Sequence, residues 1–224
     1  MLTENNFFTH IQKWSCHNAN AKRPPKFFKQ AICLDKKIIV PYDELNSWKN
    51  ENPLENLVPH FFIEDFKQVC FADNPKKHSD ILNSCYALFS PDYSVFTNGY
   101  SQFNNASLLL NRLIASYWQG MGRYVILTLS WALEDTYETA FSNIEKGVVV
   151  AVSTEGVNDW KCFKNGFLEM LQKVEPTKIC WYGKIPNWIN HCFSLENIIS
   201  IKKRYRAVKE KENEKLLKEQ PVLF

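Results

Sequence analysis

Apolar runs alternate with amphipathic stretches along most of the chain. "RYVILTLSW" and "GVVVAVST" are apolar without alternation, which predicts buried strands. "KKIIVPY", "HFFIED" (60–65), "YALFSPDYS" and "TKICWYG" predict further strands, and "CFSLENIISI" supplies a candidate for the last. Between them, "FKQVCFAD", "NNASLLLNRLIASYWQGMG", "ALEDTYETAFSNI" and "DWKCFKNGFLEMLQKV" read as helices. Gly120 and Gly122 end the second of these, and Pro176 ends the fourth. Strands alternating with helices predict an α/β fold. The expectation is a mainly parallel sheet of five or six strands with right-handed crossovers and helices on both faces, as an open layer or an incomplete barrel.

This pattern occupies about residues 36–200. Residues 1–35 read as an arm broken by "KRPP" at 22–25. Charge sets both ends apart from the middle. Residues 10–37 hold seven Lys or Arg and one acid, and residues 201–219 hold eight basic and four acidic side chains. The net charge of the chain is only +3, so outside 201–219 it sums to about −1. The basic zones carry interleaved aromatics. Lys22, Arg23, Lys26, Phe27 and Phe28, with Lys202, Lys203, Arg204 and Arg206, are candidates for contacting DNA. Lys and Arg neutralise phosphates, and aromatic rings stack on unpaired bases. A solvated surface would show the same composition.

The seven cysteines are odd in number and none forms a C-x-x-C pair. Several sit in apolar runs, as buried reduced thiols do, which predicts a cytoplasmic protein. No apolar run reaches the ~20 residues a membrane span needs, and no secretory leader is recognised.

In parallel α/β sheets, function collects at the carboxyl ends of the strands. Those ends carry Glu64 and Asp65; Ser90, Asp92 and Ser94; Ser130, Trp131, Glu134 and Asp135; Ser153, Thr154, Glu155 and Gly156; then Tyr182 and Lys184. Converging carboxylates bind Mg²⁺ or Mn²⁺ and support phosphodiester chemistry. Asp65, Asp92 and Glu155 are the candidate ligands, and Arg112, Glu134 and Asp135 are candidate catalytic partners. Arg112 interrupts an otherwise apolar helix, where it would either be buried against a carboxylate such as Asp92 or lie on the solvent side. The same residue types also serve as ordinary helix caps. Phosphate-loop, dinucleotide-binding and serine-elbow motifs are absent, so those chemistries lose ground.

"LFSPDYSVF", "NRLIASYWQGMGRYVILTLSW", "VVVAVSTEGV" and "FKNGFLEMLQKVEPTKICWYGKIP" together resemble a family known as domain of unknown function DUF4417. The resemblance covers roughly 40–190. It implies a setting in bacteria, phages and mobile elements, and no activity or catalytic assignment.

The final "QPVLF" resembles the bacterial sliding-clamp binding peptide, in which a Gln is followed by Leu-Phe three and four positions later. Gln220 would make polar contacts, and Leu223 and Phe224 would fill an apolar pocket at ~1.5–3 kcal/mol each before ordering costs. Residues 201–219 would be the tether. Pro221 and Val222 depart from the usual residues but suit an extended peptide. The expected function is a DNA-transaction protein of a phage or mobile element, in replication initiation or DNA processing, recruited to the host clamp. A metal-dependent nickase or nuclease activity would fit. The alternatives are a non-enzymatic clamp adaptor and a small-molecule enzyme or binding protein with its site at the strand ends.

Overall fold

The structure is a computed structural model and describes residues 24–202. Lys22, Arg23, Lys203, Arg204, Arg206, Gln220, Leu223 and Phe224 lie outside the described residues. The fold is α/β, as the alternation predicts. A two-stranded parallel sheet, β1 (Ile38–Pro41) and β2 (Leu57–His60), precedes a five-stranded parallel sheet. The latter runs β3 (Leu88–Phe89), β4 (Val125–Thr128), β5 (Val149–Ser153), β6 (Lys178–Tyr182) and β7 (Ile198–Ile201), in that order. Tyr86 N–H donates to Leu57 O at 3.1 Å, which brings the two sheets side by side. β1 and β7 are not paired with each other, so the sheet is open.

The described helices are α1 (Leu45–Trp48), α2 (Asp65–Asp73), α3 (Ser79–Leu82), α4 (Ser101–Gly120), α5 (Tyr137–Phe141) and α6 (Trp160–Val174). α2 touches α4, α4 touches α5, and α5 touches α6. One detail of the expected layout therefore differs. A strictly sequential strand order carries crossovers of one hand to one side, whereas helices on both faces need the order to reverse. The other face closes on itself. Phe62, just past β2, stacks on Tyr182 of β6 with ring centres 5.0 Å apart, although three strands separate β2 from β6.

Local chemistry explains the element ends. Asp159 caps α6 by accepting from Cys162 N–H at 2.9 Å, and Glu175 turns left-handed (φ 46°) ahead of Pro176 to stop it. β2 lies slightly earlier than "HFFIED" suggests. All four residues of β2, Leu57–His60, are buried, and Phe61 and Phe62 follow the strand into the aromatic packing.

The first described residues belong to this fold. Phe27 is buried and pairs with Ile144 ahead of β5. The Gln30 side chain donates to Arg123 O at 2.7 Å and accepts from Val125 N–H at 2.9 Å, at the start of β4. Cys33 N–H donates to the Tyr86 hydroxyl ahead of β3 at 3.0 Å. Residues 24–33 thus run across the amino ends of the strands.

α6 lies against the sheet through Phe163, Phe167 and Trp181. Gly166 is where this layer is tightest. A Cβ there would stand 2.1 Å from Trp131 Cδ1. Trp131 cannot yield easily, because it stacks on Phe163 at 5.1 Å and meets Phe141 edge-on at 5.6 Å. Gly166→Ala is expected to cost about 1–3 kcal/mol, the usual range for overpacking. A thermal melt measures it. An unchanged melting temperature would mean that Trp131 swings freely.

Candidate functional site at the carboxyl ends of the strands

One cleft follows the carboxyl ends of the sheet, at the opposite end from residues 24–33. Its first lobe, ≈ 270 Å³, is lined by residues including Asp92, Ser130, Trp131, Glu155 and Asp159. Its second, ≈ 490 Å³, is lined by residues including Asp43, His60, Phe62, Asp92, Glu155 and Tyr182. Asp92, Ser94, Ser153, Glu155 and Gly156 line both, so the lobes are continuous. No lysine or arginine lines either lobe among the described residues.

Asp92 sits at the join. Its main chain is held by an amide that mimics a strand neighbour: Gln68 Nε2 donates to Asp92 O at 2.8 Å, and Gln68 Oε1 accepts from Asp92 N–H at 2.9 Å. Asn111 Oδ1 accepts from Tyr93 N–H at 3.2 Å. Asn104 both accepts from Phe96 N–H (2.9 Å) and donates to Phe96 O (2.8 Å). Asp65 accepts from the Ser94 N–H at 3.3 Å and its hydroxyl at 3.2 Å. The loop 92–96 is thus pinned by four side chains on α2 and α4, a supporting shell that fixes a functional group in place. The Asp92 carboxylate itself has no hydrogen-bond or ion-pair partner among the described residues.

Burial, and then the nearby Asp65 carboxylate, push the Asp92 carboxyl up to about 7. Burial also raises Asp65, against the hydrogen bonds from Ser94. His60 is buried and driven the other way. Burial takes it down to about 3, opposed by Asp43, so it is neutral at physiological pH. Further polar atoms of side chains lining the cleft, His60 Nε2, Ser130 Oγ and Trp131 Nε1, are buried without a hydrogen-bond partner.

These shifts have a pH signature. Unfolded Asp92 loses its proton near pH ~4, whereas folded Asp92 holds it to about 7. In that window the unfolded state binds fewer protons, so this group's contribution to stability falls as pH rises. His60 contributes the opposite slope below its ordinary value, but both proteins in a comparison share it. Asp92→Asn is therefore expected to gain melting temperature over the wild type from pH ~4 to ~7, then level off. A pH-independent difference would refute the protonation assigned to Asp92.

The structure sorts the predicted residues. Asp92 and Glu155 line the cleft, Asp65 lines neither lobe, and no three His, Cys, Asp or Glu side chains are grouped to hold a metal ion among the described residues. Asp65 turns to Ser94 instead. Glu134 and Asp135 line neither lobe. The buried Trp131 and Ala132 carry the chain into the helix layer first, and both acids are exposed at the helical turn before α5. Arg112 is not a partner of Asp92. It is buried and donates only to main-chain carbonyls: Pro25 (2.9 Å), Ser142 (3.0 Å), Ala140 (3.2 Å), Thr139 and Asn143 (both 3.4 Å). It caps the exit of α5 and ties down the segment at Pro25.

The proposed base-stacking role of Phe27 is also corrected, since its ring lies in the core. Lys26 pairs with Glu145 at 3.1 Å and lies over the half-exposed Phe28 ring at 4.7 Å. Both residues are near the amino ends of the strands, far from the cleft. His60, Gln68, Asn104 and Asn111 escaped the sequence reading. A signal existed: Asn104 and Asn111 recur at a seven-residue spacing on the apolar face of α4.

Fold and cleft together define an open parallel α/β protein with a polar, lysine-free site at the strand carboxyl ends. The chain belongs to the family described as "Domain of unknown function (DUF4417)", matched over residues 25–202. It is 28% identical over 141 residues to "Gene 1 protein" of Mycobacterium phage L5, covering 61% of this chain and 60% of that one. It is 27% identical over 130 residues to "Gene 1 protein" of Mycobacterium phage D29, covering 56% and 48%. The chain thus spans between about half and 60% of the length of these curated relatives. No solved structure matches. No described helix is long and apolar enough to cross a membrane.

Proposed function

We propose that this phage-related protein binds a compact, uncharged polar ligand in the cleft and acts on it by proton transfer through Asp92. The observation that carries this reading is the partnerless Asp92 carboxyl at the join of the two lobes, on a loop pinned by four side chains. A group poised near neutrality is suited to general acid–base work. Its surroundings suit a small neutral molecule better than bare nucleic acid, because a polyanion would meet carboxylates and no lining cation. The test uses the full chain. Thermal shifts are measured with a panel of small amides, ketones and polyols, and separately with oligonucleotides. A neutral compound that raises the melting temperature of the wild type and not of Asp92→Asn supports the reading. Stabilisation by polyanions alone overturns it.

A second reading keeps the DNA setting, and two observations favour it: phage relatives, and the sequence QPVLF at 220–224. In it the chain is a DNA-transaction protein recruited to the bacterial sliding clamp. The cleft carboxylates would recruit Mg²⁺ or Mn²⁺ to offset their charge before a phosphodiester could enter. Metal-dependent cleavage of single-stranded, supercoiled or forked DNA that is lost in Asp92→Ala would establish it. No cleavage on any of these substrates counts against the enzyme version.

A further inference from the structure

His60 ends β2, and its ring is packed among Phe62 (centres 5.5 Å apart), Tyr182 (5.5 Å) and Phe89 (6.2 Å). The side chain is 1% exposed and lines the second lobe beside Asp92. Its two nitrogens are in different situations. Nδ1 accepts the Phe62 N–H at 3.2 Å. A nitrogen that accepts an N–H bond has its lone pair engaged and carries no proton. In a neutral imidazole the proton is then on Nε2. Nε2 is buried and has no hydrogen-bond partner.

This tautomer decides what His60 can do. A metal takes a bare ring nitrogen, so a protonated Nε2 does not serve as a ligand, and Nδ1 is already engaged. A buried donor with no acceptor is destabilising, and such a cost is retained where a ligand satisfies the group. The acceptor that fits is an uncharged oxygen. An anionic oxygen in the same lobe would face the carboxylates of Asp92 and Glu155, with no lining lysine or arginine to offset it.

We propose that His60 Nε2–H is a subsite for a neutral acceptor oxygen, a carbonyl or amide oxygen, of a ligand whose other end reaches Asp92. The inference rests on the cleft reading above and names its substrate class. The aromatic rings around His60 give the ligand's apolar part a surface to cover. His60 is a binding and positioning residue here, and its partner in the same molecule is Asp92.

The test is nitrogen NMR of the histidine-labelled full chain, with acetamide, N-methylacetamide and acetone as probes and zinc as the opposing probe. At neutral pH His60 is expected to show the Nε2–H tautomer. An amide or ketone probe should move the Nε2 resonance. His60→Leu should weaken that probe roughly tenfold, the equivalent of one hydrogen bond, and His60→Gln, which keeps a donor, should weaken it less. If His60→Leu does not fold, the tautomer, the probe shift and His60→Gln in the folded protein still decide. An Nδ1–H tautomer, zinc displacing the Nε2 proton, or no shift with any probe overturns the proposal. Probe binding that depends on Asp92 but not on His60 removes this subsite and leaves the cleft reading standing.

Discussion

Arg112→Met is expected to lower stability by about 3–5 kcal/mol, and the melting temperature by roughly 10 °C. Methionine fills much of the same volume, so the loss comes mainly from hydrogen bonds. Five main-chain carbonyls from two separated stretches, Pro25 and 139–143, converge on one guanidinium. Three of the contacts, to Pro25, Ser142 and Ala140, are 3.2 Å or shorter and carry most of the effect. Each carbonyl left buried without a donor costs on the order of 1–3 kcal/mol. Burial pulls the Arg112 guanidinium down to about 10, which still leaves it charged at neutral pH and makes its bonds to carbonyls charge-assisted. Arg112→Lys should fall between wild type and Met, because an ammonium is a point donor and cannot span both stretches as a planar fork does. Denaturant melts of the three proteins measure this. A loss below ~1 kcal/mol for Met would mean that water replaces the guanidinium there.

A peptide of residues 215–224 is expected to bind a bacterial sliding clamp in the ~μM range, or ~8 kcal/mol, as suits a short extended motif filling one pocket. Leu223→Ala with Phe224→Ala should remove most of that, because both apolar anchors go. Gln220→Ala should weaken it less. In the full chain the double change should leave the melting temperature nearly unchanged if the two side chains serve a partner. Packing of Leu223 and Phe224 onto the body predicts the reverse: little heat with the clamp and a clear loss of stability. Calorimetry with the purified clamp and a melt of the double variant separate the two. A stable peptide–clamp complex would support the DNA-transaction reading independently of what the cleft binds. Failure here would leave Asp92 and His60 untouched.

The sequence by itself determined the class of fold. Unbroken apolar runs such as "GVVVAVS" have no polar face to expose, so they become central parallel strands, and Val149–Ser153 is one. Amphipathic spacing likewise determined α4 and α6, with Gly120 and Gly122 ending the first and Pro176 following the second. The rule that function lies at strand carboxyl ends pointed to Asp92 and Glu155, which line one cleft, and to Asp65, which bonds Ser94 on its rim. Tertiary structure decided what those residues are for. Arg112 and Asp92 both stand out as charges in apolar settings, yet one meets five carbonyls and the other meets none. What surrounds each depends on segments far away in sequence: Pro25 accepts from the Arg112 guanidinium, and Gln68 holds the Asp92 main chain while its carboxyl stays without a partner. No local pattern encodes that. His60 was invisible for the same reason. Its importance rests on a neighbour two residues on that claims one nitrogen, and on Tyr182 of β6, which reaches the ring only because the sheet curls.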